Sequence, residues 1–172
     1  AVWADTCPQE DKDEDGVWAY QDCDDQNPDI TTSGTGASEN CAAESCLNIV
    51  NEGYSVGNGI YWISGSSPVQ TYCDMETDGG GWTLISSFVN TDGNVTWSRP
   101  VGDTHWRTAS SFGDVHARTS SDYKSILFSE LDADDILLQD SYGWLSFDSI
   151  LNQGTFLDLM LGYNSCQTTP LV

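Results

Sequence analysis

Residues 11–25 read DKDEDGVWAYQDCDD, in which Asp11, Asp13, Asp15, Asp22, Asp24 and Asp25 are offset by a single lysine, Lys12. Carboxylates this dense repel one another. The stretch therefore either stays solvated and unfolded or gathers around something positive. The imbalance is chain-wide, with a net charge of −22, but it is concentrated at one end. Twelve of the 27 acids and one of the five Lys and Arg residues fall in residues 1–46. A chain without a basic surface has nothing to neutralise phosphates, so nucleic acid and anionic membrane are excluded as partners. Its natural small partners are cations.

The spacing of the acids selects among cations. With Asp11 as position one, Asp13 and Asp15 fall at three and five, Gly16 at six, Val17 at seven and Asp22 at twelve. This is the register of a calcium loop, with Asp in place of Glu at the last position. Alternate residues of a tightly curled loop turn their oxygens towards one centre. Gly16 supplies the sharp turn, Val17 offers its carbonyl, and Asp22 closes the shell from the far side. Every ligand is an oxygen, which suits calcium. Magnesium is disfavoured because it dehydrates reluctantly and demands a stricter octahedron. No helix brackets the loop: Cys7 and Pro8 precede it and Cys23 follows. The competing reading is a solvated acidic linker, which the register of several residue types argues against.

Cysteines define the second constraint. Cys7, Cys23, Cys41, Cys46, Cys73 and Cys166 make an even set with no C-x-x-C pair. That pattern fits a disulfide framework in an oxidising compartment and disfavours a thiolate zinc site. The chain starts at Ala1 without a signal-like apolar stretch, and no apolar run reaches membrane-spanning length. The expectation is a mature secreted protein or a piece of one. Asn94-Val95-Thr96 matches the glycosylation acceptor pattern.

Composition divides the chain at residues 1–43 and 44–172. The first part carries the acidic loop and then TTSGTGASEN, which reads as a linker. In the second part, GIYWIS and VQTYCDM read as two paired strands separated by GSSP, and GGGWTLISSF as a glycine-rich turn entering a third. Residues 90–122 read as loops pinned by Trp97, Trp106 and Phe112. SDYKSILFSELDADDILLQD favours strands and turns over a long helix. A short helix is expected at 146–152 and a strand after Gly154. Trp62, Tyr72 and Trp82 are expected in the core.

Two resemblances rest on these motifs. DKDEDGVWAYQDCDDQNPDI resembles a D-x-D-x-D-G…D-C-D-D-x-[DN]-P repeat of secreted bacterial proteins, similar in style to thrombospondin type 3 calcium repeats. It implies that Asp24, Asp25, Asn27 and Asp29 extend the site or form a second one. Glu14 stands where that pattern carries a small residue. SCLNIVNEGYSVGNGIYWISGSSPVQTYCDMETDGGGWTLISSF resembles the start of a fibrinogen-like domain. HWRTASSFGDVHARTSSDYKSILFSEL then resembles the intelectins, a calcium-dependent lectin branch of that group, up to about residue 140. The resemblance implies a Cys46–Cys73 bridge, and two predicted strands flanked by these cysteines agree with it. For Cys7, Cys23, Cys41 and Cys166 three connectivities remain, of which Cys7–Cys23 with Cys41–Cys166 is favoured. Asn90 and Asp92 align with a calcium-linked segment of intelectins, although Val89 stands where intelectins carry His. Domains of this group are longer, and the half that carries their ligand pocket is expected to be absent here, so no lectin site is carried over.

No catalytic constellation emerges. His105 and His116 are the only histidines, and neither H-E-x-x-H nor G-x-S-x-G is present. The sequence thus points to an α+β, loop-rich, disulfide-stapled, fibrinogen-like and intelectin-like fold, truncated, with an N-terminal calcium loop. The expected function is a secreted, calcium-binding recognition or adhesion module without enzymatic activity. Its partners would be an extracellular glycan or protein, or copies of itself. The alternative is a structural subunit of an extracellular filament or surface assembly.

Overall fold

The computed structural model describes residues 10–19, 22–29, 34–89, 105–151 and 154–162. The chain divides into two units, Ala1–Gly81 and Trp82–Val172. The compositional division at 43/44 is a different one, since compactness groups the acidic loop with the segment up to Gly81.

In the first unit, helix α1 spans Cys46–Asn51. Ser45 starts it by accepting the Asn48 N–H at 3.1 Å, which satisfies a donor the helix cannot pair internally. The helix buries Cys46 and Ile49 and gives way to Gly53 at φ 80°. Strands β1 (Gly59–Ile63) and β2 (Val69–Asp74) form an antiparallel hairpin, as the two apolar runs predict. Tyr61 lies opposite Thr71 and Gly59 opposite Cys73, so Tyr61, Ile63, Thr71 and Cys73 share one buried face. Trp62 and Tyr72 occupy alternate positions and are half-buried rather than core, and Trp82 is half-buried too. Ring size misleads here because period-two register, not residue type, decides which face is covered.

The small-residue segment before α1 is stitched to this hairpin. Trp62 donates its N–H to the Gly36 carbonyl at 2.8 Å, and Ala43 bridges Ile63 in parallel. Gly36 lies at φ 71°, and a Cβ there would meet Ile49 Cδ1 at 2.6 Å, so this close approach needs glycine. Cys46 bonds to Cys73 as expected, tying α1 to β2. The expectation for the other cysteines is overturned: Cys23 bonds to Cys41, with Cα atoms 5.5 Å apart. Folding of the 34–43 segment beside β1 brings Cys41 within reach of the acidic loop's exit, which sequence proximity could not reveal. Cys7 and Cys166 lie outside the described residues, as do Trp97, Asn94 and the Asn90–Asp92 segment.

In the second unit, β3 (Trp82–Thr83) follows Gly79–Gly81, all three at positive φ, as the glycine-rich turn predicts. Strand β4 (Ser86–Ser87) pairs antiparallel with β5 (Tyr123–Lys124). Trp106 is buried with its ring 5.4 Å from Phe112 and 6.0 Å from Phe128, so aromatics do pin the irregular stretch. Strands β6 (Ile136–Gln139) and β7 (Trp144–Phe147) form a second hairpin, and helix α2 spans Phe156–Gly162. Helix and strand are thus exchanged relative to the expectation for 146–152 and the residues after Gly154. Residues 144–147 are captured by pairing with β6. Thr155 sets the helix start, accepting the Asp158 N–H at 3.2 Å while Asp158 accepts both the Thr155 hydroxyl and its N–H.

Lys124 is 1% exposed, yet it carries an ammonium. Its Nζ donates to the carbonyls of His105 and Ser110 at 2.8 and 2.9 Å and to that of Thr108, and it lies 4.5 Å from the Phe128 ring centroid. Burial pushes its pKa below the usual lysine range, while three carbonyl acceptors favour retention of the proton. Lys124→Met should leave those carbonyls without their donor. The expected loss is about 2–4 kcal/mol of stability, measured by urea unfolding.

Candidate metal centre

Curling of the acidic loop follows from backbone bonds to its own aspartates. Asp11 accepts the Gly16 N–H at 3.1 Å, Asp13 the Asp15 N–H at 3.3 Å, Asp15 the Val17 N–H at 2.7 Å and Asp22 the Asp24 N–H at 2.9 Å. These are the side-chain turns that short polar residues favour. Ala19 closes the loop by donating to the Glu10 carbonyl at 2.8 Å. Gly16 sits at φ 93° and Glu14 at φ 62°. Glutamate is uncommon in that left-handed region.

Each of these four aspartates spends one oxygen on the backbone. The other oxygen of each, Asp11 Oδ1, Asp13 Oδ2, Asp15 Oδ2 and Asp22 Oδ2, is buried with no hydrogen-bond partner among the described residues. Asp11, Asp13 and Asp15 each offer a carboxylate oxygen within 4.8 Å of the others. Burial, then the charges of Asp15, Asp22 and Asp11, hold the Asp13 carboxyl above the usual carboxylate range, opposing the lowering by the Asp15 N–H. Buried, unpaired anionic oxygens are costly unless a cation or a proton meets them. A hard divalent cation fits this donor set, which is all oxygen and partly closed.

The remaining predicted ligands are placed differently. Asp25 accepts the Lys12 N–H at 3.1 Å and the Lys12 Nζ at 2.8 Å. Lys12 also lies 3.7 Å from Glu10. Asn27 Oδ1 accepts the Asp29 N–H at 3.2 Å, and Asp24 and Asp29 are exposed. Among the described residues, Asp11, Asp13 and Asp15 form the one cluster with ligand spacing; Asp22 lies outside that spacing but acts on Asp13 through its charge, and Asp24, Asp25, Asn27 and Asp29 are not gathered in. The Lys12–Asp25 clasp was missed at the level of sequence, although a lone lysine among acids was its signal. Beside the loop's exit lies an open pocket of about 410 Å³, lined by Cys23, Asp24, Gly36, Asn58 and Tyr61 among others. Tyr61 is committed there, donating to the Gly57 carbonyl at 2.8 Å and accepting the Val56 N–H at 3.1 Å. His116 is exposed, and the His105 ring packs 4.9 Å from that of Phe112.

Known proteins resemble part of this chain. Residues 42–123 match the model for the C-terminal globular domain of fibrinogen beta and gamma chains. This segment is similar to that domain. Mouse angiopoietin-4 is 41% identical over 59 residues, covering 33% of this chain and 11% of the relative. Human angiopoietin-2 is 34% identical over 64 residues, covering 36% and 12%, and the chicken fibrinogen beta chain is 53% identical over 34 residues, covering 20% and 7%. The chain therefore spans about a tenth of the length of these relatives. The fibrinogen-like match begins after the acidic loop, so the loop's chemistry rests on its own residues. Among the described residues no helix is long and apolar enough to cross a membrane.

The clasp predicts a pH window. Lys12 lowers the Asp25 pKa from its ordinary 3.8, and Asp25 raises that of Lys12 from 10.5, through their hydrogen bond first. The pair is complete above the ordinary Asp value. It is lost as pH falls through the depressed value of Asp25, or as pH rises through the raised value of Lys12. Carboxyl ¹³C titration should place the Asp25 midpoint below 3.8, and Lys12→Met should return it towards that value.

Proposed function

We propose that this chain is an extracellular, calcium-binding recognition module on a fibrinogen-like scaffold of the intelectin-like branch. The observation that carries the calcium reading is the set of four buried, unpartnered oxygens on Asp11, Asp13, Asp15 and Asp22. Their positions one, three, five and twelve agree with a calcium loop, and the Val17 carbonyl completes the set at seven. Asp24, Asp25, Asn27 and Asp29 serve the loop's shape in this reading, and the thrombospondin-like repeat is its sequence expression. Two disulfides among the described residues support an oxidising, extracellular setting. Angiopoietin and fibrinogen relatives support recognition rather than catalysis.

Calcium displaces any proton at the orphaned oxygens, offsets their mutual repulsion and so orders residues 9–29. Affinity is expected on the order of 10⁻⁴ M or somewhat tighter, as for extracellular modules. Calorimetry should register one calcium site of that modest affinity, and terbium should report it through energy transfer from the adjacent Trp18. Asp13→Ala combined with Asp15→Ala should abolish both signals. Unchanged stoichiometry in the double variant would remove the assignment.

A further inference from the structure

Among the described residues the second hairpin presents a largely exposed apolar face, on which Ile136 is half-buried. Ile136 lies opposite Phe147 and Leu138 opposite Leu145. Cross-strand partners, and alternate residues along a strand, point to the same side of the sheet. These four side chains therefore make one face. Leu138 and Leu145 are 55% and 57% exposed, and Phe147 is 38% exposed. Among the described residues β6 and β7 pair only with each other. A two-stranded hairpin is marginal in water without something packed on it, and contiguous exposed apolar patches mark interaction sites.

Charge identifies the kind of occupant. Asp132, Asp135, Asp140 and Asp148 flank the two strands and are exposed. No Lys, Arg or His follows Lys124 anywhere in the chain. We propose that this hairpin face docks a cationic protein segment, with apolar residues for the four-residue face and lysines or arginines for the aspartate rim. A second copy would set the same aspartates against each other and bring another −22. An anionic membrane surface is repelled for the same reason. The inference deepens the recognition reading by naming a partner's chemistry, and it makes no use of calcium.

The test uses the full chain in chelator with a synthetic peptide of alternating lysine and leucine, against the same peptide with glutamate for lysine. The lysine peptide should bind and the glutamate peptide should not. Leu138→Ser with Leu145→Ser keeps every charge and should weaken binding about tenfold or more. Asp132→Asn with Asp148→Asn keeps the apolar face and should weaken it about threefold, with a shallower salt dependence. Val56→Ser, in the other unit at a position 93% exposed, should change nothing. Amide exchange checks that the hairpin persists. If the serine variant loses its hairpin, the asparagine variant decides. Unweakened binding by a serine variant with an intact hairpin, or by the asparagine variant, would reduce the effect to diffuse charge and overturn the proposal. So would a dimer of the unmodified chain in sedimentation that the serine variant abolishes. Because calcium is absent throughout, failure of the calcium reading leaves these outcomes unaltered.

Discussion

Repulsion among the carboxylates of Asp11, Asp13, Asp15 and Asp22 is the constraint around which the N-terminal unit is arranged. Each carboxylate has two oxygens, and the loop uses them for different tasks. One oxygen accepts a backbone N–H and so shapes the chain. The other is buried and unsatisfied. Backbone bonds alone would not hold four anions together, since each contributes only about 1 kcal/mol net. The chain also restrains the loop covalently and electrostatically, through Cys23–Cys41 at its exit and the Lys12–Asp25 clasp across it. These restraints reduce the ordering entropy that a bound cation would otherwise have to overcome.

The N-terminal unit also shows how local chemistry fixes close approaches. Gly36 leaves room for Ile49 and Tyr61, and Gly80 lies where a Cβ would sit 2.1 Å from the Met75 carbonyl oxygen. Asp74 accepts from the Glu76 and Thr77 backbone and from the Thr77 hydroxyl, which closes the turn ahead of the glycine run. The motif YCDMETDGGGW thus encodes a strand, a capped turn and a sharp reversal in eleven residues. Its readability in sequence comes from that density of special backbone requirements.

Legibility was uneven for physical reasons. The β1–β2 hairpin could be read because alternation and turn residues are local signals, and the Cys46–Cys73 bond because the family resemblance implied it and the predicted strands agreed. The three clustered aspartates could be read because loop curvature fixes their spacing. Cys23–Cys41 could not, because it depends on where residues 34–43 fold. The helix expected at 146–152 overlaps the end of the strand at 144–147 because a short apolar run has no distinctive period. The partner strand decided the outcome. Helix α2 was marked by Thr155 and Asp158 three positions apart, a cap signal that apolar patterning around it obscured.

Lys124 gives the second unit a different answer to the problem of placing a positive charge among oxygens. Its ammonium sits among the carbonyls of His105, Thr108 and Ser110. That cation is part of the polypeptide. Its local concentration does not depend on the medium, and no chelator can withdraw it. Among the described residues, one oxygen on each of Asp11, Asp13, Asp15 and Asp22 has no such partner. One chain therefore surrounds a built-in cationic side chain with neutral carbonyls in one loop and gathers anionic oxygens in another, and only the second arrangement leaves negative charge open to the ions of the fluid around it.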